Sequence, residues 1–324
     1  MKLREYKALQ DKGDFFDSSV IETQNEFDSF YRVFANKEGL IYRGVNEAKF
    51  QIYTSAQRFW ITDKLETQSS FNEFVGKMLQ KLKSDNTIIE YLKSTDVPYN
   101  DVLGLAMLQH FGAPSTFIDF SLDLNCALFF AFDGMKKGNS DNEIDDYVSI
   151  YVINRKSLGQ GLLPNLTEIF AHGMELGTNT SEDFAAKNPN IRVDDSLIRD
   201  IEQFVCWYDP KNPQGCLCSF NMPCYIGNPL LEKSFSTYKD NQKFYWSNIN
   251  LIAQKGCFIL NTHECQPLEA YMLSEEYKIQ CFNIHKTLSE YIKDKIKLSS
   301  DDIYPDFHKR ISTIYSDFLK NKIV

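Results

Sequence analysis

The side chains best suited to chemistry in this sequence stand where apolar runs break. Arg43 closes the run Leu40-Ile-Tyr and is followed by Gly44. Gln109 and His110 end one apolar stretch, and Ser115, Thr116 and Asp119 follow the break Gly112-Ala113-Pro114. Gln254 comes two residues before Gly256 and the apolar Cys257 to Leu260. A guanidinium at a strand end can grip a carboxylate or phosphate with its two-pronged fork. A glycine beside it lets a backbone or a ligand come close. Histidine is the side chain whose charge changes near neutral pH. Polar groups this close to a core need partners, because unpaired ones are costly away from water. Each also has a plain structural reading. Arg43 can make a salt bridge, His110 and Asp119 can pair with backbone, Thr116 can sit passively in a strand, and Gln254 can satisfy a sheet edge.

The elements that must position them follow from the pattern. In Asp101 to Phe132, Val102, Leu105, Ala106, Leu108 and Phe111 give a helical face, with Asn100 placed to cap it. Gly112-Ala113-Pro114 ends that helix. Ser115 to Phe120 reads as a short strand. Ser121 or Asp123 caps a second helix, Leu124 to Phe132, which is apolar on nearly every side and belongs inside a domain.

The 324 residues carry a net charge of -9, with 43% hydrophobic and 14% aromatic content. Such a chain can build a sizeable core, and its acidity argues against generic nucleic-acid binding. The start, MKLREYKALQDKGDFF, lacks an apolar signal core, and the longest apolar run, Cys126 to Phe132, is far too short to span a membrane. A soluble, cytoplasmic protein is expected. Cys206, Cys216, Cys218 and Cys224 cluster without paired C-x2-C knuckles, so ordinary thiols are expected there and no metal site is assigned. Phosphate-loop, dinucleotide-fold, nucleophile-elbow and H-E-x-x-H motifs are all missing.

Along the chain, residues 1–39 read as a helical segment packed on the core, with Phe27, Phe30, Tyr31 and Phe34 at helical spacing. Residues 40–324 read as one α+β domain, with a mixed or antiparallel central sheet flanked by helices. It carries a helical insertion near 62–96 and an irregular one near 155–235. Tyr147 to Ile153, Cys224 to Ile226, Cys257 to Leu260 and Lys278 to Ile284 are the later strands. Helices are expected over 284–295 and at the C-terminal end, the latter carrying Ile311, Ile314, Phe318 and Leu319.

Four blocks together resemble the FRG domain family. They are Tyr42-Arg43-Gly44, Gln109-His-Phe-Gly-Ala-Pro-Ser-Thr-Phe-Ile-Asp-Phe-Ser121, Asn248 to Phe258, and Ile303-Tyr-Pro-Asp-Phe307. The chain departs from the family pattern at Leu108, at Ser115-Thr116 and at Asn250. The last two stand where the family carries threonine-arginine and arginine. More distantly, the order Arg43, Ser115-Thr116, Gln254 resembles the Arg–Ser/Thr–Glu layout of ADP-ribosyltransferase folds. That likeness implies an NAD-consuming enzyme, a bacterial toxin or phage-defence effector acting on a macromolecular acceptor. Arg43, His110, Thr116 and Gln254 would be its catalytic residues, and Arg43, Gly44, Ser115 and Asp119 would hold NAD as substrate. A non-catalytic domain that senses a nucleotide or other anion in the same pocket is the alternative. An aromatic-rich scaffold is a third reading, and Asp119 with Asp123 offers little for a metal-dependent nuclease.

Overall fold

A computed structural model describes residues 3–63, 68–95, 99, 101–136, 142–155, 224–226, 249–271 and 279–322. The expected strand over 224–226 is present, but the rest of the 155–235 insertion and three of its cysteines lie outside the described residues, as does Asn100.

In chain order the elements are β1 (Phe16–Ile21), α1 (Gln24–Phe34), β2 (Leu40–Val45), α2 (Ser55–Asp63), α3 (Gln68–Ser84), α4 (Asn86–Ser94), α5 (Asp101–His110), β3 (Phe117–Ser121), α6 (Leu124–Phe132) and β4 (Tyr147–Asn154). They continue with β5 (Cys224–Ile226), α7 (Ile249–Ala253), β6 (Gly256–Leu260), β7 (Ile279–His285), α8 (Ser289–Ile296), α9 (Ser300–Ile303) and α10 (Phe307–Lys322). The strands form a seven-stranded sheet in the order β1-β7-β4-β2-β3-β6-β5. The β1–β7 pair is parallel and its other pairings are antiparallel, so the α+β reading with a mixed sheet holds.

The first 39 residues differ from the helical expectation. A short 3-10 turn at Gln10–Asp14 leads into β1, which lies in register with β7 from Phe16↔Ile279 to Ile21↔Ile284. Only Phe16 and Ile21 of that edge strand are buried, so its sequence lacks the alternation by which strands are read. Helix α1 begins as the spacing predicts, with a capping box between Thr23 and Glu26 and with Phe27, Phe30 and Phe34 buried.

Two helix groups share one face of the sheet. Helices α1, α6 and α8 cover β2, β4 and β7, packing Phe27, Leu128 and Ile292 against Tyr42, Ile150 and Ile284. Helices α3, α4 and α5 cover β3 and β6, where Phe117 and Phe258 stack with ring centres 4.7 Å apart. The opposite face is closed by Tyr6, Ala48, Ile52 and Leu268 over Ile118, Tyr151 and Cys257. Between the helix groups the sheet is split. Strand β2 runs in register with β4 from Leu40↔Asn154 to Val45↔Ser149, and β3 with β6 from Phe117↔Leu260 to Ser121↔Gly256. Yet β2 and β3 meet at the single pair Tyr42↔Ser121.

Candidate functional site

The split opens into a cavity of about 630 Å³, a size that suits a nucleotide-sized ligand. Arg43 and Gly44 form one lip and Asp119 and Phe120 the other. Helix α5 contributes Gln109 and His110, the α2 region Tyr53 and Arg58, and the α7–β6 turn Asn250 and Gln254.

Strand alternation explains why backbone as well as side chains faces this space. The Arg155 N–H donates to the Gly39 carbonyl at 2.9 Å, so the odd-numbered residues of β2 bond to β4. The Leu122 N–H donates to the Lys255 carbonyl, and the Asn261 N–H to that of Thr116. The even-numbered residues of β3 therefore bond to β6. Gly44 and Asp119 consequently turn their own N–H and C=O groups toward each other across the split, where no ladder pair joins them. Arg43 takes up one of these groups, donating from Nη1 to the Asp119 carbonyl at 2.6 Å.

Glycine at 44 is dictated by α6. A β-carbon there would stand 1.8 Å from the Ala127 carbonyl oxygen and 2.7 Å from the Ala131 nitrogen, so the helix backbone seals the strand directly. At Gly256 the limit is the Leu251 side chain, 2.3 Å away. Both glycines thus serve close packing first.

Charge is poorly balanced in the cavity. The Arg43 Nε is buried and meets no acceptor among the described residues. Burial pushes the Arg43 guanidinium below its ordinary range, with Asp119 and Tyr151 opposing. Burial does the same to Arg58, and the like charge of Arg43 adds to it. Arg58 Nη1 is fixed on the Tyr53 carbonyl at 2.9 Å. Asp119 is exposed and lines the cavity. Enclosure raises its carboxyl above the usual range, against the pull of Arg43, a hydrogen bond from Gln109 Nε2 at 2.5 Å, and Arg58. Burial lowers the His110 imidazole, partly offset by Asp119, which leaves it neutral at pH 7.

Of the residues singled out by sequence, Arg43, Gly44, His110, Asp119 and Gln254 share the cavity. Ser115 and Thr116 are not among its lining and are fully buried. The Ser115 hydroxyl donates to the Leu105 carbonyl at 2.9 Å and accepts from the Phe117 N–H at 3.2 Å, which joins α5 to β3. The Thr116 hydroxyl is buried without a partner among the described residues. Gln254 is held from two sides. Its carbonyl accepts from the Ser121 hydroxyl at 2.7 Å, and its Nε2 donates to the Ile303 carbonyl at 3.2 Å. The closing Ile303 to Phe307 block therefore positions Gln254 and adds Tyr304 to the wall. From sequence, the stretch Gln51 to Trp60 with Arg58 is expected to return toward the Arg43 strand, but Arg58 is given no role in the site.

Residues 38–140 match the FRG domain family. The chain carries an FRG domain there. That span covers both lips of the split, α5 and Arg58, while the blocks around Gln254 and Tyr304 lie beyond it. No curated protein and no solved structure matches the chain. The likeness to ADP-ribosyltransferases therefore rests on residue layout alone. Among the described residues, no cluster of three or more His, Cys, Asp or Glu is placed to hold a metal ion, and no helix is long and apolar enough to cross a membrane.

Proposed function

We propose that the cavity binds NAD, and that the FRG domain with β6 forms the site of an NAD-consuming enzyme of the ADP-ribosyltransferase type. The observation that carries this reading is half-buried Arg43, whose enclosed Nε has no acceptor among the described residues, beside the turned-in backbone of Gly44. Arg43 and Arg58 suit the two phosphates, since two like charges lining one cavity are relieved by a doubly charged anion. The N–H and C=O of Gly44 form a donor–acceptor pair that complements a primary carboxamide. With its nitrogen tied to Ile303, Gln254 offers Oε1 to a ribose hydroxyl. In the reaction the bond from ribose C1′ to the ring nitrogen breaks and its electron pair leaves with nicotinamide. Water or an acceptor nucleophile then adds at C1′ and gives up a proton, for which neutral His110 is the nearby base.

A second reading, binding without turnover, is favoured by a specific observation. Thr116 is walled off, and the residue leading β6 is an amide with no charge to favour a cationic transition state. One experiment separates the two. The protein is incubated with NAD and free nicotinamide is followed, alongside thermal unfolding with and without ligand. Release by wild type and silence from Arg43→Ala support the enzyme. Stabilisation without release supports the sensor. Neither effect, at millimolar NAD, removes both.

A further inference from the structure

The last helix carries a face made for packing and leaves it in solvent. In α10, Ile311, Ile314 and Tyr315 share one face and are 66%, 68% and 61% exposed. Every described side chain from His308 to Ser316 is exposed, polar and apolar alike. Two contacts tie the first turn of α10 to α9. The Lys309 ammonium sits 2.7 Å from the Asp301 carboxylate, and Arg310 Nη2 donates to the Asp301 carbonyl at 3.0 Å. A protein helix owes most of its stability to burying its apolar stripe. The described part of α10 is therefore an arm fixed at its base, with its stripe uncovered.

A matching surface lies elsewhere on the same chain. Where α3, α4 and the end of α5 meet there is an open groove of about 570 Å³, separate from the Arg43 cavity. Leu82, Ile88, Tyr91, Met107, Leu108 and Phe111 line it, and its surface is almost wholly apolar. Phe111 is 68% exposed there. Charge selects among the possible occupants. Along α10 stand four cations, Lys309, Arg310, Lys320 and Lys322, and one acid, Asp317, whereas the chain as a whole carries -9. Two α10 helices laid together would set like charges side by side. An anionic lipid surface would attract the arm and repel the body. The acidic body of a second copy attracts the arm and also carries the apolar groove.

We propose that α10 docks its Ile311, Ile314 and Tyr315 face into the Leu82-to-Phe111 groove of a second copy, and that the exchange is reciprocal, giving a closed two-fold dimer. The spacing of three and four is that of a helix anchored in an apolar groove. The area argues for reciprocity. A helix of 16 residues is ~24 Å long and ~10 Å across, so half its girth covers at most about 400 Å² on each partner. One such contact removes no more than ~800 Å² in total, the size of a casual packing contact, whereas two remove ~1,600 Å², the size of a stable interface. Because Asp301 already fixes the base of the arm, docking costs it little orientational freedom.

The test is sedimentation of the full chain at increasing concentration, for wild type, Ile314→Glu, Phe111→Lys and an equimolar mixture of the two variants. Both positions are exposed, so neither change opens the core, and the thermal midpoint of each variant checks that it is folded. Wild type is expected to dimerise with a Kd on the order of 1 µM. Each variant alone should dimerise at least ~100-fold more weakly, because a two-fold dimer contains every substitution twice. The mixture should restore the dimer. In it the introduced carboxylate of one chain enters the groove holding the introduced ammonium of the other, while the second contact keeps wild-type residues on both sides. A wild type that is monomeric at ~100 µM overturns the proposal. So does a dimer that survives both substitutions, a mixture as weak as its parts, or open-ended polymers in place of a dimer. Sedimentation of a monomer with vesicles of anionic phospholipid, lost in Ile314→Glu, also overturns it and makes α10 a lipid-binding arm.

Discussion

Two cations of this protein, Lys12 and Arg43, lie near Tyr151 and give up hydration, and they are treated in opposite ways. Lys12 is fully enclosed, and its ammonium donates to the Ser149 hydroxyl at 2.7 Å, Asn283 Oδ1 at 2.8 Å, the Ala48 carbonyl at 3.0 Å and the Tyr151 hydroxyl at 3.2 Å. Aromatic rings of Tyr6, Phe16 and Tyr151 surround it. Arg43 is hydrogen-bonded to a single carbonyl and keeps an unused Nε. Both lose hydration, so the difference lies in what replaces the water. The Lys12 cage is a finished structure that ties the N-terminal turn to the sheet. The Arg43 environment is unfinished, its enclosed Nε having no acceptor among the described residues, and the site proposed above gives that donor a use.

That contrast can be broken most directly at Lys12. Replacing it by methionine leaves Ser149, Tyr151 and Asn283 facing apolar atoms, and should cost roughly 4 kcal/mol of stability in denaturant unfolding. A loss under about 1 kcal/mol would show that the cage is not structural. Gly44→Ala comes next. Its new methyl runs into the α6 backbone, so a loss of about 3 kcal/mol is expected, along with the NAD-induced thermal shift. Should that variant melt like wild type, α6 does not seal the strand as described. Arg43→Gln sharpens the comparison from the other side. It should leave stability within about 1 kcal/mol of wild type while weakening nucleotide binding at least ~30-fold, because its donor serves the ligand more than the fold. A large loss of stability with intact binding would make Arg43 a second Lys12. Thr116→Val, which deletes a buried unpartnered hydroxyl, should be neutral or stabilising by up to ~1 kcal/mol with NAD binding unchanged. Altered binding in that variant would return Thr116 to the site.

The smallest effect is one of pH and lies outside both environments. Hydrogen bonds from Lys295 and Tyr291 hold the Asp28 carboxyl below its ordinary value of 3.8. A depressed folded value means that the unfolded chain binds more protons, so this contribution is present above 3.8 and fades as pH falls through the folded value. Asp28→Asn should flatten that acid limb of the unfolding curve, and an unchanged limb would place the acid sensitivity elsewhere.

Sequence pattern reached the helices and strands whose burial is periodic or complete. α1, α3, α6 and β4 are of this kind, and so is the Arg43-to-Gln254 pairing across one hollow. It failed where burial depends on partners distant in sequence. β1 is half polar because only one of its sides has a neighbouring strand, and Lys12 looks like any surface lysine until Asn283 arrives from the far end of the chain. Ser115 and Thr116 were placed in the site from strand order, but order does not say which face of a short strand turns toward a split. Arg58 lies in a stretch expected to return toward the Arg43 strand, yet a single helical cation carries no periodic signal from which a site role could be read.

The parallel pairing of β1 with β7 sets a schedule for synthesis. Phe16 finds its partner only when Ile279 has been made, and Lys12 receives its Asn283 acceptor later still. The hollow likewise waits for distant segments, since Gln254 and Tyr304 complete a wall begun at Arg43. Prematurely terminated products would carry the FRG segment without a completed chamber.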